Sequence, residues 1–330
     1  MVILGAGPAG LIAGYVFRKH RPVILEAAPW AGGAFRAGGF RYVRDTPEMY
    51  AFVRSVLGDE GSVVRRKIQG AVLAWDRAVM SHPQGLLLLT ESERQRLQMS
   101  HWVKTRGSMA GYEITCMNDP AYHVRSEERG LFFDFERLLG NLSAMLDIRY
   151  HHQVSKVDWR QRRVTAQGEE FEYERLIVTL PLPVMSQVMR CWDLPEARHN
   201  YLTVMDVRGP KSLPWKGCDE VDYLYTPLER WITRLSVDRY GAGGIALEAV
   251  VDDVSVDLRG AMCDLLNFGA CDVVSGRKVA GHLLPLKSGG SVEWPAGIAA
   301  VGRYAEWKPR QTLDRVMDRL LMLQGDSRWS

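Results

Sequence analysis

Apolar and polar positions along this 330-residue chain fall into two rhythms. Val2-Ile3-Leu4 is a continuous apolar run, the mark of a strand buried on both faces. The glycine-rich stretch Gly5-Ala6-Gly7-Pro8-Ala9-Gly10 follows, and Leu11 to His20 then takes a helical period. Pro22 to Glu26 reads as a second buried strand that ends in an acid. Gly39 to Val43 predicts a strand, and Pro47 to Leu57 a helix with Met49, Phe52, Val53 and Val56 on one face. Residues 76 to about 127 break this rhythm. They hold a short apolar strand at Leu86 to Leu89, a helix start at Thr90 with Glu93 three residues on, and mixed polar sequence with Trp102 and Tyr112. From Leu131 the first rhythm returns, with a helix over Phe133 to Met145, a strand from Asp147 to Tyr150, a meander to Phe171 and the buried run Leu176 to Leu180 ahead of Pro181 and Pro183. Residues 184 to 290 read as strands at Tyr201 to Val207, Asp222 to Tyr225, Trp231 to Val237 and Ile245 to Val251, with a hairpin turn at Gly241 to Gly244. A buried strand ending at Gly302-Arg303 and a helix over Gln311 to Leu323 close the chain.

The first stretch carries the chemistry. Strand, tight turn and helix with glycines at positions 5, 7 and 10 match G-x-G-x-x-G. Gly5 makes the turn, Gly7 lets a pyrophosphate approach the backbone, and Gly10 lets helix and strand pack closely. The phosphates then meet the N–H groups and dipole of the helix N-terminus, where Pro8 and Ala9 stand. Glu26 falls about 20 residues on, where an acid accepts the ribose hydroxyls. A carboxylate there opposes a 2′-phosphate, which points to FAD or NAD and away from NADP.

A second glycine pair, Gly32-Gly33, lies in Glu26-Ala-Ala-Pro-Trp-Ala-Gly-Gly-Ala34-Phe35. Here the sequence resembles the flavin-binding family that includes the amine oxidases, protoporphyrinogen oxidase and UDP-galactopyranose mutase. The resemblance extends to Gln153-Val154-Ser155-Lys156-Val157, to the run Leu176-Ile-Val-Thr179-Leu-Pro-Leu-Pro183, and to Gly302-Arg303-Tyr304-Ala-Glu-Trp307 before the last helix. It implies a Rossmann-like FAD-binding domain of the glutathione-reductase type, with an inserted α+β substrate domain. The flavin domain would comprise 1–75, 128–185 and 290–330, and the substrate domain 76–127 and 186–289. By the same resemblance Gly32, Gly33, Ala34 and Phe35 lie against the pyrophosphate and Val154 near the adenine. Thr179, Gly302, Arg303, Thr312 and Leu313 complete the cofactor set, with the last helix aimed at the flavin. No Cys stands where relatives attach flavin covalently, so FAD is expected to be noncovalent.

A flavin moves hydride or electrons while the protein supplies position and electrostatics. The resemblance implies oxidation of a C–N bond in an amine or amino-acid-like substrate. Lys287 is the expected lysine near the flavin, Tyr225 and Trp307 are expected cage walls, and Arg234 the expected partner of an acidic substrate group. Two other chemistries stay open. A mutase-like isomerase is disfavoured because Tyr225-Thr226-Pro227 stands where that subfamily carries Tyr-Thr-Arg. A flavin-dependent lyase or oxidase could act on an amino-acid-like group carried by nucleic acid. A non-enzymatic flavoprotein scaffold is the remaining reading.

Composition narrows the picture only slightly. The net charge is +3, but residues 1–110 hold 15 Lys+Arg against 8 Asp+Glu, concentrated in 61–110. That excess is either a solvated face or, with Trp75 and Trp102 interleaved, a nucleic-acid surface. Five cysteines without metal-type spacing suggest a reducing compartment. With a strand at the first residue and no run of membrane-spanning length, a cytoplasmic protein is expected. His151 and His152 would face opposite sides of a strand, which argues against a shared metal ion.

Overall fold

The computed structural model describes residues 1–33, 36, 42–75, 77–80, 89–104, 129–189, 199–208, 213, 220–240, 244–250, 260–261, 264–265, 272–283, 292–307 and 312–326. The chain opens with β1 (Val2–Leu4) and α1 (Pro8–Val16). The helix begins three residues ahead of the apolar period because Pro8 occupies its first position, where proline's fixed φ is already helical and its missing N–H forfeits no bond. Next come β2 (Val23–Leu25), β3 (Val43–Arg44), α2 (Pro47–Leu57), β4 (Val64–Lys67), β5 (Gly70–Ala74), β6 (Arg77–Met80), α3 (Glu91–Lys104), β7 (Arg129–Phe132), α4 (Phe135–Met145) and β8 (Asp147–Arg149). The second half holds β9 (Val154–Asp158), β10 (Arg163–Ala166), β11 (Glu169–Glu172), β12 (Leu176–Val178), α5 (Leu182–Val188), β13 (His199–Arg208), β14 (Tyr223–Tyr225), β15 (Ile232–Asp238), β16 (Gly244–Ala249), β17 (Asp272–Leu283), β18 (Ile298–Ala300) and α6 (Leu313–Gly325).

The caps explain the helix bounds. Thr46 accepts the Met49 N–H at the start of α2, and Gly58 ends it in the left-handed region. Thr90 and Glu93 form the expected reciprocal box, with the Thr90 N–H 2.7 Å from Glu93 Oε2 and the Glu93 N–H 3.2 Å from Thr90 Oγ1. From that start α3 runs on to Lys104, through the stretch the sequence presents as mixed and polar.

One sheet has the order β18-β12-β1-β2-β8 with every pairing parallel. Ile3, Ile24 and Ile177 face a core shared with α1, α2, α4 and α6, whereas Val2, Leu4, Leu25 and Val178 face the meander β11-β10-β9. Both faces are thus covered, which is why these strands read as unbroken apolar runs. A second sheet has the order β17-β13-β16-β15-β14-β5-β6, antiparallel except where β5 and β14 run parallel. Gly70–Ala74 therefore pairs within this sheet, on the N-terminal side of the 75/76 boundary drawn from sequence. One face of the sheet buries Leu224, Leu235 and Leu247, and the other brings Val72, Ala74, Tyr223 and Tyr225 under Leu97 of α3.

A small sheet, β3-β7-β4, stands between the two. From β4, Arg66 pairs with both carboxylate oxygens of buried Asp222, donates to the Tyr240 hydroxyl at 3.0 Å, and lies 4.0 Å over the Phe132 ring. Asp222 also accepts the Gln69 N–H at 2.8 Å, so one ion pair ties the small sheet to the entry of β14. Among the described residues, no helix is long and apolar enough to cross a membrane.

Candidate dinucleotide and substrate site

The fingerprint glycines serve three different ends. Gly5 has φ +92° and donates its N–H to Leu25 at 2.8 Å. A Cβ on Gly10 would lie 1.9 Å from the Gly5 carbonyl oxygen, a contact no side chain can make. Among the described residues, a Cβ on Gly7 would meet nothing within 4 Å, which leaves room beside that turn. Across it, a Cβ on Gly33 would come 3.1 Å from the Gly7 Cα, and Gly32, at φ +114°, donates to the Ala6 carbonyl at 2.8 Å. The second glycine pair thus packs directly on the first turn at the N-terminus of α1, where Pro8 holds the first helical position. Gly302, at φ +103°, stands against the same turn: its Cβ would lie 2.8 Å from that of Ala9.

Glu26 braces the glycine turn. Its Oε2 accepts the Ala6 N–H at 2.7 Å and its Oε1 the Ala28 N–H at 2.9 Å. The carboxylate therefore locks the glycine turn to the end of β2 and retains lone pairs for hydroxyl donors. The chain leading to Val154 runs alongside, with His152 and His151 donating N–H bonds to the Glu26 and Ala28 carbonyls, and Val154 is buried. Thr179 supports the turn from beneath, its hydroxyl 2.7 Å from the Leu4 carbonyl and 3.2 Å from that of Gly5. At the closing motif, Arg303 Nε and Thr312 Oγ1 are buried and have no hydrogen-bond partner among the described residues. Leu313 packs into the helix-side core. An open glycine cradle beside unsatisfied buried donors is the arrangement a bound dinucleotide would complete.

The sheet order gives such a ligand a direction. Glu26 follows β2, on one side of β1, so an adenosine held by Glu26 would lie on that side, away from β12 and β18. The seven-stranded sheet carries a buried polar pair of its own. Arg234 on β15 is the cross-strand partner of Tyr225 and of Glu248, and its guanidinium pairs with the Glu248 carboxylate. Burial works against the Arg234 charge, but Glu248, with Tyr225 and Tyr42 nearby, holds its pKa above the usual range. The Tyr304 phenol, next to Arg303, is raised by burial; Arg303 lowers it and Glu248 raises it. The closing motif of the nucleotide domain and the ion pair of the second sheet thus share one electrostatic neighbourhood.

The expected catalytic residues divide. Tyr225 and Arg234 stand together as cross-strand partners in the seven-stranded sheet. Trp307 is buried against Leu182 at φ +53°, a strained conformation for a bulky residue, and belongs to a packed cluster with Trp294 and Tyr304. Lys287, Ala34 and Phe35 lie outside the described residues. Sequence reasoning missed Glu248, although a lone acid in the apolar run Gly244-Ile-Ala-Leu-Glu248-Ala-Val was a readable signal. It also missed Lys104, whose ammonium donates to the carbonyls of Thr226 at 2.5 Å and Ile232 at 2.7 Å. Burial pulls the Lys104 pKa down to about 7, with Glu229 acting in the opposite sense. His101, one turn earlier on α3, meets the Tyr225 ring edge-on at 5.9 Å.

Four cations of the basic segment 61–110 are engaged within the fold. Arg65 is bidentate on Asp45, Arg66 is held by Asp222, Arg94 donates to the Leu89 carbonyl, and Lys104 is buried. Trp75 and Trp102 are half exposed, at 39% and 45%, with Arg96 5.8 Å over the Trp75 ring.

The fold is a mixed α/β one, with a five-stranded parallel sheet and a second, seven-stranded mixed sheet. A family model described as flavin containing amine oxidoreductase matches residues 65–207. Solved structures similar along nearly the whole chain include a reduced UDP-galactopyranose mutase, with 14% identity and a TM-score of 0.67 over 100% of this chain and 95% of that one. An oxidoreductase from Methanosarcina mazei is 15% identical with a TM-score of 0.62, covering 98% of this chain and 99% of that chain. Putrescine oxidase bound to putrescine is 13% identical with a TM-score of 0.54, covering 98% of each chain. A search of curated protein sequences finds no match. The resemblance to the flavin-binding amine-oxidase-like family is borne out by the family model and by this shared fold.

Proposed function

We propose that this protein is an FAD-dependent oxidoreductase that binds its cofactor noncovalently and oxidises a C–N bond in an amine that also carries an acidic group. The observation that carries the reading is the adjacency of the dinucleotide cleft, through Arg303 and Tyr304, to the buried Arg234–Glu248 pair beside Tyr225. FAD seated in the cleft supplies two-electron acceptance. Gly7 and Gly33 leave room for its pyrophosphate, Glu26 takes the ribose hydroxyls, and Arg303 and Thr312 offer polar atoms to its far half. Arg234, held charged by Glu248, orients a substrate carboxylate through a planar pair of N–H donors. The matched charges of Arg234 and Glu248 favour a zwitterionic substrate over a simple cation, and the Tyr225 ring supplies an apolar wall. The same reading extends to the cellular setting: a cytoplasmic enzyme acting on a free small molecule.

The test is anaerobic mixing of FAD-loaded protein with a panel of amines and amino acids, reading loss of the flavin absorbance. Bleaching by an amino acid, lost in Arg234→Gln with FAD retained, is expected. Absence of flavin in the purified and FAD-supplemented protein sinks the cofactor assignment. Bound flavin that no amine reduces, with turnover appearing only after dithionite treatment, replaces it with an isomerase.

A further inference from the structure

Two helices begin at the carboxyl edge of the parallel sheet, and their first turns differ in charge. Gln324, near the end of α6, donates to the Val16 carbonyl at the end of α1 at 3.0 Å, and the two helices pack against each other, so they run in the same direction. The first turn of α1 carries no acid, as a pyrophosphate seat requires, whereas that of α6 carries Asp314. Asp314 is 8% exposed, and its Oδ1 has no hydrogen-bond partner among the described residues. Its Oδ2 stands 3.9 Å from Arg44 Nη1. Thr312, at the N-cap, makes no capping bond and its hydroxyl is also without a partner among the described residues. An acid in a first turn supports a helix equally well from solvent, while a buried carboxylate oxygen lacking a donor costs free energy. Helix stability alone therefore gives no reason to bury this one.

We propose that Asp314, balanced by Arg44, sets the electron affinity of the bound flavin. This rests on the FAD reading above. Two-electron reduction with uptake of one proton leaves the flavin one negative charge richer. The N-terminus of α6 favours that charge, and the Asp314 carboxylate in its first turn opposes it. Asp314 is a positioning residue for the local field rather than a catalytic group.

The test is the flavin midpoint potential of FAD-loaded protein, measured against redox dyes during anaerobic dithionite reduction. Asp314→Asn keeps the shape and removes the charge; it should shift the reduction equilibrium about tenfold toward the reduced form, a rise of about 30 mV. Arg44→Gln removes the balancing cation and leaves Asp314 in place; it should shift the potential downward by a similar factor. Opposite signs at the two ends of the pair are not expected of a merely structural contact. Unchanged potentials, or shifts of the same sign, overturn the proposal. If Asp314→Asn does not fold, the half-exposed Arg44 still decides by the sign of its shift. Wild-type protein without FAD defeats the cofactor assignment itself, whereas bound FAD with unmoved potentials defeats this inference alone.

Discussion

The five-stranded parallel sheet and the seven-stranded mixed sheet solve their polar problems in opposite ways. In the first, the candidate edge is made of backbone, from glycines that admit no side chain and one carboxylate, Glu26, bonded to the main-chain N–H groups of Ala6 and Ala28. In and around the second, polar groups are met by side chains from other elements: Arg66 of β4 with Asp222, Arg234 with Glu248 on the neighbouring strand, and Lys104 of α3 with the carbonyls of Thr226 and Ile232. A backbone site tolerates no added atoms. A side-chain site tolerates shape changes but not an unbalanced charge.

The first side of this contrast breaks most sharply at Gly10. Alanine there would place a carbon 1.9 Å from the Gly5 oxygen, so Gly10→Ala should yield no folded, cofactor-binding protein. The Cβ of Gly7→Ala meets no atom of the described residues within 4 Å, so this variant should fold with near-normal thermal stability while losing FAD. Circular dichroism melting and flavin content separate the two outcomes. Equal behaviour of the pair would remove the distinction between a packing glycine and a ligand-facing one.

This difference also explains what the sequence made legible. The fingerprint turn, the bounds of α2 and the box at Thr90 depend on residues within a turn or two of each other, and local spacing predicts them; Glu26 meets Ala6 across 20 residues, but the strand–helix–strand unit fixes that distance. The route to Val154 was readable as well, because a strand after a parallel-sheet helix has few places to go. Arg234 could be singled out as a cation, but its partner lies 14 residues away on the next strand, and pairing register across a hairpin is not written in apolar periodicity. Lys104 had been counted with the basic segment. Nothing local says that it turns inward to two carbonyls more than a hundred residues on.

On the second side, the largest effect is expected at the Arg66–Asp222 pair. Asp222 is 1% exposed, so Arg66→Ala would leave an uncompensated buried carboxylate and should destabilise the fold by about 3–5 kcal/mol. Chemical denaturation measures this directly. Replacing both residues, Arg66→Met with Asp222→Leu, should recover much of the loss. A double variant as weak as the single one would mean that bond geometry, rather than charge balance, holds the sheets together.

Lys104 gives a smaller and pH-dependent effect. In the unfolded chain a lysine titrates near pH 10.4, whereas in the fold burial brings this one to about 7. Between those values the unfolded state binds the extra proton, so the contribution of Lys104 to stability rises with pH, by at most about 1.4 kcal/mol per pH unit. Below about pH 7 both states are protonated and the slope vanishes. Lys104→Met should flatten the stability curve between pH 7 and 10 in a denaturation series. An identical slope in wild type and variant would show that the ammonium is better solvated than its burial implies.

The smallest expected effect concerns the basic segment. A nucleic-acid surface needs cations free to displace counterions, and each phosphate contact would lower log K by about 0.7 to 0.9 per tenfold rise in salt. In this fold Arg65, Arg66, Arg94 and Lys104 already hold internal acceptors, so breaking those bonds would offset what phosphate contacts contribute. Arg96 remains over Trp75, and Trp75 and Trp102 are each about half exposed, which is enough for an occasional stacking contact but not for a charged track. Fluorescence anisotropy with labelled single-stranded and duplex DNA and RNA at 20 mM and 200 mM salt should therefore show weak binding at most, with a slope near one. Arg94→Glu with Arg96→Glu should change it by less than about threefold. A slope of four or more that the double variant abolishes, with FAD retained, would move the substrate from a free amino acid to a group carried on nucleic acid, and would mean that the basic segment rearranges on contact.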